Sequence, residues 1–245
     1  MNNAGRARNA APRRGQPLAW LLVLALPAAC TSPGGEAASR VARLPYLGER
    51  HVRPRPNQPP DTLVSRIPTF ALRNQQGQPV TSQSLAGRVY VADFFFASCP
   101  SICPRVQREM QRVYRAFQGD SRVQLLSHTI DPAHDSRPVL QAYAERLGVA
   151  DARQWQFVTA PRDTIFHLAR AYATVATGDP AAPGRAVHDG TLALVDGHGY
   201  LRGLYDGLNP QETTRLLKDL PQLLTETSGE APRRVAATAL NPRTP

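Results

Sequence analysis

Apolar residues along this chain follow two rhythms, and the change from one to the other predicts its elements. Residues 88–96 (Arg-Val-Tyr-Val-Ala-Asp-Phe-Phe-Phe) are β-branched and aromatic, without Gly or Pro, as a buried strand requires. Residues 122–130, 154–158 and 191–195 read the same way, and 69–73 predicts a short strand followed by a turn at 75–78. Between these runs the period becomes helical. Val106, Met110, Val113, Tyr114 and Phe117 share one helix face, and Gly119 ends the pattern. Residues 138–147 predict a helix stopped by Gly148, and 162–172 predict another. A last helix runs from Pro210 towards Leu224, with Pro221 expected to kink it.

Strands alternating with helices require a mostly parallel sheet with helices on both faces. The Gly197-His198-Gly199 turn folds 191–195 back onto 200–205 as a hairpin, and a final helix follows. The expected class is therefore α/β: a thioredoxin-like fold with insertions and a C-terminal hairpin.

The flanks lack this patterning. An acid-free stretch with Arg6, Arg8, Arg13 and Arg14 precedes the apolar run 18–26, and small residues then lead to Cys30. As a helix, residues 18–29 span about 18 Å, short of a hydrocarbon core of about 30 Å. Residues 1–30 thus have the layout of a secretory signal, with an uncleaved anchor as the alternative. Leu26-Pro-Ala-Ala-Cys30 resembles a bacterial lipobox, which makes Cys30 the candidate for lipidation. Residues 31–66 and 228–245 are rich in Pro and Arg and poor in large apolar side chains. They are expected to be a disordered tether and a disordered tail around a domain at 67–227.

Charge changes meaning once it is divided this way. The chain holds 29 basic and 19 acidic residues, for a net +10. Residues 67–227 carry 16 basic and 15 acidic side chains, so the domain is almost neutral. That excludes a nucleic-acid-binding groove as the main function. The excess marks export and tethering instead, and the basic flanks suit an anionic membrane surface.

The chemistry concentrates at Phe94-Phe-Phe-Ala-Ser-Cys99-Pro-Ser-Ile-Cys103-Pro104, where a buried strand hands over to a helix. In open α/β sheets ligands bind at this carboxyl edge. Backbone N–H groups and the helix dipole there favour thiolate. Two thiols four residues apart lie on one helical face and could meet each other or one small ion. A buried disulfide is the structural alternative, but a loop this short stabilises little. The spacing differs from the Cys-x-x-Cys of thioredoxin redox sites. Two thiolates suit Cu(I), and imidazole suits copper in either oxidation state.

Six histidines could complete such a site. His51 lies in the expected tether, His134 and His167 in or beside helices, and His198 at the hairpin tip. His128 sits near the carboxyl end of strand 122–130 and is a possible neighbour of the thiols. His188 is the stronger candidate. It comes after the irregular Pro/Gly-rich stretch 178–186 and directly precedes strand 191–195.

In ordered combination these motifs resemble the Sco/SenC family of copper-binding, thioredoxin-like proteins over residues 67–225. The cysteine segment is similar to that family's Cys-Pro-x-x-Cys-Pro copper site. Thr129-Ile-Asp131-Pro-Ala-His-Asp135 resembles its strand-end Asp-Pro-x-x-Asp segment. Helix 138–147 is similar to the family's next helix, and Val187-His188-Asp-Gly-Thr191 to its His-bearing loop and strand. The resemblance implies copper ligation by Cys99, Cys103 and His188. It implies a role in building the copper centre of cytochrome c oxidase, with a copper-receiving oxidase subunit or other copper protein as partner. Asp131 and His128 would support the site, and Asp135 would either do so or cap the next helix. Val187 stands where the family often has Asp, and Gly190 where thioredoxins carry a cis-proline.

Two functions from different classes fit these residues. The first is a copper-binding metallochaperone or thiol-maintenance protein for that copper centre, held at the bacterial cell envelope through lipidated Cys30 or an N-terminal anchor, rather than an enzyme. The second is a thiol:disulfide oxidoreductase or thiol peroxidase using Cys99 as nucleophile and Cys103 as resolving thiol. The second leaves His188 without a role.

Overall fold

A computed structural model describes residues 43–149, 152–174, 176–178 and 186–226, with the backbone alone for 176–178 and 186–188. The expected signal, Cys30, the first part of the tether and the tail lie outside the described residues. Among those described, no helix is long and apolar enough to cross a membrane.

Strands β1 (Arg50–Arg55) and β2 (Gln58–Val64) pair as an antiparallel hairpin. Next come β3 (Ala71–Asn74), β4 (Pro79–Thr81), β5 (Val89–Phe95), helix α1 (Cys103–Ala116), β6 (Val123–Thr129) and α2 (Arg137–Arg146). The chain continues through β7 (Trp155–Thr159), α3 (Arg162–Ala171), β8 (Ala176–Gly178) and β9 (Ala186–His188). It closes with β10 (Thr191–Val195), β11 (Leu201–Asp206) and α4 (Pro210–Glu226). Helix α4 stays helical past Pro221.

Seven strands form the central sheet in the order β11-β10-β5-β6-β7-β3-β4. Strands β5, β6 and β7 are parallel and fully or largely buried, and antiparallel strands flank them on both sides. The α/β, thioredoxin-like class expected from the alternation is present, with its parallel character in the centre. Side-chain alternation assigns the faces. Phe95 packs on Tyr143 of α2, and Asp93 accepts a hydrogen bond from Gln107 of α1, so both helices cover one face. Phe94 and His128 turn the other way, to Tyr172 at the end of α3.

Strand β5 is the switch point. Helix α1 carries the chain from β5 to β6 on one side, and α3 leads back from β7 towards β10 on the other side of β5. Loops diverge at its carboxyl end and open a crevice there, at the cysteine segment.

The expected disorder across 31–66 is corrected for residues 43–66. Leu44 and Pro45 give their carbonyls to the Arg202 guanidinium at 2.6 and 3.2 Å, and the Leu47 N–H bonds to Leu201. Arg202 is 3 % exposed and also pairs with Asp196 (2.9 Å) and Glu226 (2.6 Å). A buried guanidinium needs partners for its five donors, and the N-terminal segment supplies two. Prolines are tolerated in the hairpin because a two-stranded ribbon leaves alternate N–H groups facing solvent.

Candidate metal and thiol site

The seven residues of β5 are all buried, which fixes where the chain emerges at Ala97. A tight turn comes next, in which the Cys99 N–H bonds to the Phe96 carbonyl at 3.2 Å. Helix α1 then starts at Cys103 with Pro104 in its first turn, where a missing N–H costs nothing. Cys99 is 9 % exposed and Cys103 is 1 % exposed. Both thiols are free of any disulfide. They are hydrogen-bonded to each other, and this contact, with burial second, raises the Cys103 pKa well above the ordinary thiol range. A backbone hydrogen bond with Phe96 opposes the shift, and the nearby Asp93 carboxylate adds to it. The helix-start preference for thiolate is thus overridden at Cys103, which keeps its proton until something replaces it.

Asp135 is 2 % exposed. Its Oδ2 accepts hydrogen bonds from the Ala97 N–H at 3.0 Å and from the Thr129 hydroxyl. Burial raises its pKa, and the two donors partly offset that. The capping alternative is corrected, because Ser136 is the N-cap of α2 and no side chain caps that terminus. Asp135 instead ties the first residue of the cysteine loop to the end of β6. Asp131 sits at the same strand end, with its carboxylate on His134 Nδ1 at 2.9 Å.

His188 closes β9, with its backbone paired to Ala176 of β8. The irregular stretch expected before it therefore ends in a short hairpin strand, and the His188 side chain lies outside the described residues. Two residues later the chain is held against the thiol helix. Gly190 has φ +76, and a Cβ there would stand 3.1 Å from a Val106 methyl. Its carbonyl accepts the Gly207 N–H at 3.1 Å. The β9–β10 junction thus meets α1 one turn beyond Cys103.

His128 is not brought to the thiols. It is fully buried on the α3 face, stacked on Phe94 at 4.8 Å, with Nδ1 on the Asp93 carbonyl at 3.2 Å. Burial pushes its pKa down to about 4, and its Nε2 has no hydrogen-bond partner. The parallel register that opposes Phe94 to His128 sends both rings away from α1. The other histidines lie elsewhere. His51 bonds Ser65 at 2.8 Å in the N-terminal hairpin, His167 is exposed on α3, and His198 sits in the β10–β11 turn at the opposite end of the sheet. Among the described residues no cluster of three His, Cys, Asp or Glu could hold a metal ion, as expected when the His188 side chain is outside them.

Sequence reasoning passed over Asp93. It is fully buried in β5 and bonded to Gln107 and Ser127 beneath the thiols. Its signal was visible as the lone acid in an otherwise apolar strand.

The SCO1/SenC family model matches residues 60–225. This chain belongs to the SCO1/SenC family. A Stutzerimonas stutzeri protein named for copper binding is 31 % identical over 214 residues, covering 83 % of this chain and 93 % of that one. Among solved structures, a SCO1/SenC family lipoprotein from Bacillus anthracis superposes with a TM-score of 0.59 at 24 % identity, covering 64 % of this chain and 94 % of its own. BsSco, described as a member of the Sco family of cytochrome c oxidase assembly proteins with a disulfide switch, gives 0.56 at 23 % identity, covering 65 % and 94 %. At these identities the structures establish the shared fold. Outside its seven-stranded sheet, this SCO1/SenC chain carries the β1–β2 and β8–β9 hairpins as separate two-stranded sheets.

Proposed function

We propose that this chain binds one copper ion, as Cu(I) or Cu(II), through Cys99, Cys103 and His188, and serves assembly of the copper centre of cytochrome c oxidase. The observation that carries the reading is the thiol pair: two disulfide-free sulfurs in mutual hydrogen-bond contact at the switch-point edge. Cys99 lies in the turn before α1 rather than on its face, yet two adjacent sulfur donors fit a soft monovalent cation better than Mg2+, Ca2+ or Mn2+. The close passage of Gly190 by Val106, where an added Cβ would stand 3.1 Å from a methyl, supports His188 as the third ligand, since it puts the neighbouring backbone beside α1. The named copper binding of the Stutzerimonas relative and the named oxidase-assembly role of BsSco support the same cargo and purpose. Asp135 acts as a positioning residue for the cysteine loop. The partner is a copper-receiving oxidase subunit or another copper protein.

The reading extends to the flanks. Residues 1–30 direct export, Cys30 carries lipid or the apolar run stays as an anchor, and the domain is held at the bacterial envelope. The lipoprotein description of the Bacillus anthracis structure supports this. A second reading, thiol:disulfide exchange or peroxide reduction, is favoured by the greater exposure of Cys99 over Cys103. Both can operate in one protein, because a Cys99–Cys103 disulfide removes two copper ligands.

Anaerobic Cu(I) titration of the full chain tests the proposal. One copper per chain is expected. Cys99→Ser should abolish tight binding and His188→Ala should weaken it, each with an unchanged circular dichroism spectrum. Wild-type affinity and stoichiometry in His188→Ala would overturn the three-ligand site.

A further inference from the structure

Although the domain is nearly neutral, its positive charge is not evenly spread. Arg105, Arg108, Arg112 and Arg115 recur along α1 at intervals of three or four residues, and Glu109 is the one acid in that helix. Such spacing forms a single stripe. Two of the four are committed to the fold. Arg105 bonds the Leu208 carbonyl at 3.2 Å, and Arg112 pairs with Glu109 and bonds Pro210 and Thr214 of α4. Arg108 is exposed and makes no ion pair among the described residues. Arg146, exposed at the end of α2, stacks over the Tyr143 ring at 5.1 Å.

Arg108 and Arg146 flank a groove of about 450 Å3 whose walls include Ala97, Cys99, Gln107 and Tyr143. Gln107 is 1 % exposed. Its Nε2 donates to Asp93 at 2.6 Å, while its Oε1 is a buried acceptor without a partner. Gln107 thus belongs to the floor beneath the groove. The groove itself offers two guanidinium groups, an aromatic ring, an apolar wall at Leu147 and the more exposed of the two thiols.

We propose that this groove takes a short acidic segment of a protein partner, one whose own thiols exchange copper or a disulfide with Cys99. The identity of the cargo rests on the copper reading above; the docking itself does not. Carboxylates meet Arg108 and Arg146 in the bidentate geometry that guanidinium favours. An apolar side chain of the segment lies against Leu147 and Tyr143, which also line the groove. Two guanidinium groups set around a thiol, beside an aromatic ring and a leucine, fit a peptide that carries both carboxylates and its own thiols better than a lipid headgroup, which has no thiol to exchange. The N-terminal segment also approaches from elsewhere. Leu44 and Pro45 are held by Arg202 near Asp196, at the amino end of β5, where the Gly87 N–H bonds the Gly197 carbonyl.

Short synthetic peptides with two cysteines flanked by Asp and Glu, by Asn and Gln, or by Lys provide the test. In one arm, Cu(I)-loaded protein transfers copper to each reduced peptide. In the other, metal-free reduced protein meets each oxidised peptide. Cys99 sulfur then attacks the peptide disulfide and a peptide thiolate leaves. Cys103 next displaces the second peptide sulfur. Two electrons pass to the peptide, and the protons of the two protein thiols end on its thiols.

The acidic peptide should react about tenfold faster than the neutral one at low salt, and the Lys peptide slower still. High salt and the double variant Arg108→Glu/Arg146→Glu should remove that advantage, whereas Arg88→Glu, at the other end of β5, should keep it. Equal rates for all three peptides would overturn the proposal. So would loss of binding to phosphatidylglycerol vesicles in the double variant with no peptide preference in wild type, which would assign the groove to membrane lipid. A chain that binds no copper yet prefers the acidic peptide in the metal-free arm would refute the copper reading while supporting the groove.

Discussion

The carboxylate of Asp135 accepts the backbone N–H of Ala97 at 3.0 Å, and so ties the start of the cysteine loop to the segment after β6. Removing that acceptor leaves the half-buried Ala97 N–H and the buried Thr129 hydroxyl short of a partner. Asp135→Ala should therefore destabilise the fold by roughly 1–3 kcal/mol and weaken Cu(I) binding. Asp135→Asn retains one oxygen and should recover most of both losses. Urea denaturation and chelator competition on the same samples check this. Unaltered copper affinity in Asp135→Ala would remove its positioning role.

Gly190 offers a second handle on the site. Its φ is +76, and a Cβ added there would stand 3.1 Å from a Val106 methyl, so that Val106 would have to give way. Gly190→Ala should cost roughly 1–2 kcal/mol from the left-handed backbone alone, with the close contact adding to it. The shift it forces lies two residues from His188, so Cu(I) affinity should fall further than in a destabilised variant of the far hairpin.

Copper binding should depend on pH. The Cys103 pKa is raised by the hydrogen bond with Cys99 and by burial, so the metal-free thiol is protonated at neutral pH. A cation must displace that proton. Affinity should rise with pH, by about tenfold per unit for each proton released. Chelator competition between pH 6 and 8 measures the slope, and a flat profile would contradict proton displacement.

Acid stability should report His128. Its pKa lies at about 4 in the folded state, below its ordinary value of 6.5. The unfolded chain therefore binds more protons between these values, and stability present above pH 6.5 is lost as pH falls towards 4. The sum is about 3 kcal/mol. Asp135 shifts upward on folding, so its protonation offsets part of this loss in acid. Denaturation of His128→Leu should show a shallower loss over that window than wild type.

Arg202 anchors the N-terminal segment. Arg202→Ala leaves Asp196 and Glu226 without their shared cation, and should cost about 3–5 kcal/mol. It also frees the Leu44 and Pro45 carbonyls. Limited proteolysis should then cut at Arg43 or Arg50 sooner than in wild type, with little change in Cu(I) stoichiometry.

Local pattern made much of the fold legible. Period-2 and period-3.6 runs placed β5, β6, β7, β10 and all four helices to within about two residues, because burial on one side imposes those periods on the chain. The Cys-x-x-x-Cys spacing at a strand-to-helix junction marked the thiols for the same local reason. The ordering of segment 44–47 was hidden, since its partners Arg202 and Leu201 lie about 150 residues away, and the β1–β2 hairpin was masked by its prolines and mostly exposed polar strands. The sequence already ranked His188 above His128, but that His128 turns away from the thiols follows from the β5–β6 register, which the primary structure does not display.

By itself, then, the sequence determined the elements, the thiol pair and the near-neutral charge of the domain, because each is a property of neighbouring residues. Only the tertiary structure decided that His128 faces α3 away from the cysteines, that Asp135 holds Ala97 rather than capping α2, and that arginines cluster beside Cys99. Those outcomes depend on strand register and on which helix covers which face of the sheet, and both are settled by contacts between residues far apart in the chain.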